Sequence, residues 1–283
     1  MNKYVKIIKP GIIAGNLLTG QAGFILASTG HVDIGLLCMT LLGLALVIAG
    51  ACALNQYTDK AIDAKMARTK TRPLVTGTLS DKQACIIGVL CMILGSAVLL
   101  FSTNVLTTCI AGAAFLMYVV LYGMLKPRTR HATLVGSIAG ALPPVIGYTA
   151  IANTIDIECI LLFLSIMFWQ MPHFFAIAMY RLADYKAASI PVLPLSKGIY
   201  ATKVQSLMYI IAFTVVTCML TLLGYTSMTF VAATICLGSV WLWLALQGFG
   251  TENNQAWARS MFRFSLVVVV GICTLLPFAS STQ

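Results

Sequence analysis

"GLLCMTLLGLALVIAGACALNQYTDKAIDAKMARTKTRP", residues 35–73, starts as an unbroken apolar run and ends in a knot of charge. The run 35–56 is long enough to cross a bilayer, for which about 20 apolar residues suffice. Two of the chain's eight carboxylates, Asp59 and Asp63, follow it at once. Lys60, Lys65, Arg68, Lys70 and Arg72 stand among and behind them. A chain that spends charge so sparingly and then concentrates it at the end of a span has a use for it there.

The rest of the sequence repeats the apolar half of that pattern. Of 283 residues, 59% are hydrophobic and only 9% charged, with a mean hydropathy of +0.93. Soluble domains carry about 25% charged residues, so a soluble globular enzyme is excluded. Span-length runs recur at 10–29, 35–56, 84–102, 105–124, 133–152, 157–179, 204–223, 228–248 and 261–279. The expectation is all-α: a polytopic membrane protein of nine transmembrane helices forming one domain over 1–283. The basic N-terminus leads into a retained first helix, because no small-residue cleavage site follows it. The nine cysteines form no C-x-x-C pair and lie in or beside apolar runs. They read as small buried hydrophobes, with no disulfide framework or metal site.

Charge tests the count. With nine spans, all 18 Lys and Arg fall on one side, and the opposite loops carry only Asp33, Asp156 and Glu158. Positive-inside sorting then places the N-terminus in the cytoplasm and the C-terminus outside. The net charge of +10 is thus a signal of topology. It does not imply nucleic-acid binding, though a basic face also favours the lipid bilayer's anionic headgroups and anionic substrates. The outer turns are tight, while two inner segments, 57–83 and 180–203, are long and polar. Function is expected there, on the cytoplasmic side. No internal repeat is visible.

Asn55, Asp59 and Asp63 are spaced i, i+4, i+8. On a continuing helix these positions drift only about 80°, so an amide and two carboxylates form one polar stripe. Adjacent acids repel unless a cation joins them. Mg²⁺ suits the stripe, since it takes oxygen ligands and is usually held by one or two carboxylates plus substrate phosphates. Lys65, Arg68, Lys70 and Arg72 can hold the remaining phosphate charge. The same spacing also suits a solvated helix end with local salt links. The second inner segment, "FFAIAMYRLADYKAASIPVLP" (174–194), offers Tyr180, Arg181, Asp184, Tyr185 and Lys186. Its lone acid either completes a second metal site or pairs with Arg181.

Four stretches, "KPGIIAGNLLTG", "NQYTDKAIDAKMARTKTRPL", "GALPPVIGY" and "WQMPHFFAIAMYRLADYKAASIPVLP", together resemble the UbiA superfamily of intramembrane prenyltransferases, and within it the haem-farnesylating branch. The likeness runs from about residue 9 to 263. It implies nine helices around a central cavity, and transfer of farnesyl from farnesyl diphosphate to the 2-vinyl group of haem B with addition of water. It also implies Mg²⁺ as cofactor, a bacterial cytoplasmic membrane, and downstream haem-modifying or terminal oxidase assembly proteins as partners. By the same resemblance Asn55, Asp59 and Asp63 match the metal–diphosphate motif, Arg68 and Arg72 its flanking cations, and Asp184 the second acidic motif. Asp59, Asp63, Arg68 and Asp184 are the implied catalytic set. The wider superfamily commonly has more acids in that second segment. Here Tyr180 and Ala188 stand four residues either side of Asp184, which argues against a quinone-precursor acceptor. A transporter would show an inverted repeat and midplane charges, and neither is present.

Other polar groups at membrane depth need partners. Asn16 lines the substrate cavity or bonds a neighbouring helix. Gln170 and His173 flank Pro172, which is expected to kink its helix. His173 either approaches the haem or is structural. Pro143-Pro144 is expected to break the fifth helix. Lys126, Arg128, Arg130 and His131 form a basic loop that either steers haem propionates or is explained by topology alone. Phe174 and Phe175 line a farnesyl channel or simply pack.

Overall fold

The computed structural model describes residues 2–28 and 30–276. Among them nine helices are long and apolar enough to cross a membrane. These are α1 (Pro10–Ala27), α2 (Ile34–Thr58), α3 (Asp81–Ser102), α4 (Val105–Leu125), α5 (Ala132–Ala152), α6 (Ile157–Tyr180), α7 (Gly198–Leu222), α8 (Met228–Gly250) and α9 (Asn254–Leu275). The expected spans agree, with two instructive differences. α7 and α9 start several residues earlier than hydropathy suggested. Lys203, Arg259 and Arg263 depress the apolar signal there, yet they sit inside the first turns of their helices. The expected tails at 29 and at 277–279 lie outside the described residues.

Side chains close the helix ends that water would otherwise have to satisfy. Asp33 caps α2 through Leu36 N, Asn104 caps α4 through Thr107 N, and Asp156 caps α6 through Cys159 N. Ser80 and Gln83 form a reciprocal capping box on α3.

Close helix packing rests on small residues, as expected where lipid leaves van der Waals contact to hold helices together. A Cβ on Gly23 of α1 would lie 2.0 Å from the Pro144 carbonyl oxygen of α5, and one on Gly147 would lie 1.9 Å from that of Gly20. On α2, a Cβ at Gly50 would meet the Gly88 carbonyl oxygen of α3 at 2.6 Å.

Two irregularities shape the interior. α5 breaks at Ala141 between Ala132–Gly140 and Leu142–Ala152. The proline pair lies just after the break, in the first turn of the second half, where the missing N–H groups cost nothing. α4 carries a π-helical turn over Met117–Tyr122, which stacks Tyr118 on Tyr122 at 5.5 Å. By contrast, α6 runs as one helix through Pro172. The main core joins α6 to α9, centred on buried Trp241, Phe213 and Phe230. All nine cysteines are free. Only Cys52, Cys159 and Cys273 are buried; the expectation that all are core hydrophobes fails because helix faces turned to lipid accept a thiol equally well.

Candidate active site

A cavity of about 530 Å³ opens at the charged end of the bundle. That is an ordinary size for a small-molecule site. α1, α2, α4, α5, α6 and α9 wall it, while α3, α7 and α8 stand outside. Its depth is apolar and its mouth is charged.

The mouth is built by the end of α2. The helix ends at Thr58 and a short helix, Lys60–Asp63, follows. The hydrogen-bond ladder continues across the junction, from Asp59 N to Asn55 O and from Asp63 N to Asp59 O. Asn55, Asp59 and Asp63 therefore share one face, as the spacing predicted, and each is only 2% exposed. Buried carboxylates demand partners. Lys126 Nζ lies 2.6 Å from Asp59 Oδ2, and Arg72 pairs with Asp63. Lys9 Nζ donates to Asn55 Oδ1 at 2.9 Å, and Tyr118 OH donates to the same oxygen at 3.3 Å.

Electrostatics here are unlike those of a free surface. Burial, above all, lowers Lys9 to about pKa 8. Burial also opposes charge on Lys126, but Tyr122 and Asp59 outweigh it and raise its pKa. Tyr185, at the mouth, is raised chiefly by burial.

The donor set fits Mg²⁺. An amide oxygen and two carboxylates are hard ligands. Among the described residues no group of three or more His, Cys, Asp or Glu converges to cage a metal. A cation here would therefore take part of its shell from substrate phosphates. Asn55 Nδ2 supports that: it is buried without a hydrogen-bond partner, a donor waiting for an anion.

Of the residues singled out in the sequence, Asn16, Asn55, Asp59, Asp63, Arg68, Arg72, Lys126, Arg130, Pro143, Gln170, His173, Phe174 and Tyr185 line the cavity. Lys65, Lys70, Tyr180, Arg181 and Lys186 do not. Asp184 does not line it either. Its Oδ1 accepts from Ala67 N at 2.9 Å, tying the second polar segment to the loop that carries Arg68 and Arg72. The groups not foreseen are Lys9, Tyr118 and Tyr122, together with the pairing of Lys126. Lys126 looked like one more topology charge, and only the fold brings it to Asp59.

Known proteins resemble this chain in sequence and in fold. The UbiA prenyltransferase family pattern matches residues 16–267. A protoheme IX farnesyltransferase from Protochlamydia amoebophila is 48% identical over 98% of both chains. One from Pseudomonas putida is 42% identical over 99% of this chain and 95% of its own. In fold, a digeranylgeranylglyceryl phosphate synthase superposes with a TM-score of 0.81 at 16% identity, covering 98% of this chain and 96% of its own. A UbiA homologue from Archaeoglobus fulgidus, solved with GPP and Mg²⁺, superposes at 0.72 with 16% identity, covering 97% and 99%. With an apolar cavity, a buried acid–amide stripe and a family match over most of its length, this chain belongs to the UbiA prenyltransferase family.

Proposed function

We propose that this chain transfers farnesyl from farnesyl diphosphate to the 2-vinyl group of haem B and adds water, giving haem O and diphosphate. The observation that carries it is the buried Asn55–Asp59–Asp63 stripe at the mouth of an apolar cavity, already flanked by Lys126, Arg72 and Lys9. The farnesyltransferase relatives supply the acceptor.

The chain acts as a single domain with its site toward the cytoplasm of a bacterial inner membrane. Asn55, Asp59 and Asp63 would hold Mg²⁺, which would supply Lewis-acid charge to the departing diphosphate. Lys9, Arg72, Lys126 and Arg68 hold the rest of that charge, and Asn55 Nδ2 donates to a phosphate oxygen. Asp184 keeps the Arg68–Arg72 loop against the second polar segment. The apolar depth takes the prenyl chain and keeps bulk water from the allylic cation. The product passes to haem-modifying or oxidase assembly proteins.

The test is incubation with farnesyl diphosphate, haem B and Mg²⁺, then mass analysis of the porphyrin. The expected product is haem bearing one hydroxyethylfarnesyl group. Unmodified haem beside a prenylated quinone precursor in a parallel reaction overturns the reading.

A further inference from the structure

Two nitrogens in the cavity wall have no hydrogen-bond partner among the described residues, and they sit one helical turn apart on α6. Gln170 is 6% exposed, lines the cavity, and its Nε2 is buried without a hydrogen bond. The Gln170 amide packs closely on Gly140, where a Cβ would fall 2.2 Å from its Oε1. His173 also lines the cavity. Positions i and i+3 share a helix face.

The protons around His173 can be counted. Its Nδ1 lies 2.7 Å from Ser265 Oγ on α9. Ser265 Oγ lies 2.6 Å from the Phe262 carbonyl oxygen, which can only accept. The one hydroxyl proton of Ser265 is committed to that carbonyl, so Nδ1–H of His173 must donate to Ser265. The neutral ring then has its lone pair on Nε2, which has no hydrogen-bond partner among the described residues. Trp169 holds the arrangement from beneath: its ring stacks on His173 at 5.0 Å and its Nε1–H donates to Ser265 O at 2.7 Å. Phe262 closes the other side at 5.0 Å.

An amide donor and an imidazole acceptor, side by side in an aromatic wall, match the two sides of one water molecule. We infer that Gln170 and His173 hold and deprotonate the water that completes the reaction, with Ser265 as the positioning residue that keeps Nε2 basic. This rests on the haem reading above. Farnesyl transfer leaves a cation on the vinyl carbon next to the porphyrin. The water oxygen, oriented by the Gln170 N–H, forms the new C–O bond with its lone pair. The resulting oxonium gives its proton to His173 Nε2, and the imidazolium releases it to solvent as products leave. Without that base, the cation instead loses a proton from the adjacent CH₂, and the product is an alkene lighter by one water.

The experiment compares the hydrated and dehydrated porphyrin products by mass, with diphosphate release measured in the same reaction. His173→Gln, Gln170→Met and Ser265→Ala are expected to raise the dehydrated fraction at least tenfold while diphosphate release falls much less. Ser265→Thr, which keeps the hydroxyl, is expected to restore the hydrated product. An unchanged ratio of the two products in the variants overturns the inference and leaves the haem reading standing. So does loss of both products with diphosphate release retained, or an unchanged ratio with a shifted haem absorption band, which would make His173 an iron ligand. A wild-type enzyme that modifies no haem removes the haem reading and this inference with it.

Discussion

Asp59 and Asp63 show how a membrane enzyme keeps two acids in a nearly dry place. Each has a cation of its own, Lys126 for one and Arg72 for the other. Truncating one partner of a buried pair strands the other, at a cost of about 3–5 kcal/mol when burial is complete. Lys126 and Arg72 still reach the cavity mouth, with side chains 16% and 22% exposed, so the cost here is smaller. Asp59→Ala or Asp63→Ala is therefore expected to cut turnover by about 10²-fold or more while the chain still inserts and folds. Near-normal turnover in either purified variant removes these carboxylates from the reaction. The acids were legible in the sequence because their spacing is local. Lys126 was not, because 67 residues separate it from Asp59 and nothing in a basic loop says which cation turns inward.

The helices themselves were easier to read than their interruptions. Twenty apolar residues announce a span whatever its backbone does in the middle. The break at Ala141 was announced only by the Pro143-Pro144 pair beside it, and the π turn at Met117–Tyr122 lies inside continuous hydrophobic signal, so hydropathy passes over it. Close contacts are equally silent, since a glycine in an apolar run looks the same whether or not another backbone touches it. The structure separates the cases. Gly23→Ala places a methyl 2.0 Å from the Pro144 carbonyl oxygen, whereas Gly112→Ala meets nothing within 4 Å. The first is expected to lower the thermal midpoint in detergent by several degrees and the second to leave it unchanged or slightly raised, since alanine favours helix over glycine by about 1 kcal/mol. Equal midpoints would mean that α1 and α5 do not pack as described.

For the molecule as a whole, the bundle divides into a charged end and an apolar depth, which the proposed function gives to diphosphate and to isoprenoid and porphyrin. That division was visible as soon as all 18 cations sorted to one side. The cavity was not, because which helices wall it depends on packing order rather than hydropathy. Removing divalent ions with a chelator is expected to stop product formation and to leave the thermal midpoint within about 2 °C, a shift worth under about 1 kcal/mol for a chain of this size. Unfolding on chelation would overturn the assignment of Lys126 and Arg72 as standing counter-charges. Those two cations also bear on how the protein is assembled. With the acids already paired, the nine helices of the described residues need no magnesium to pack. On the proposed metal reading, metal binding would then be a late exchange of partners at the mouth, because Lys126 and Arg72 already neutralise the acids.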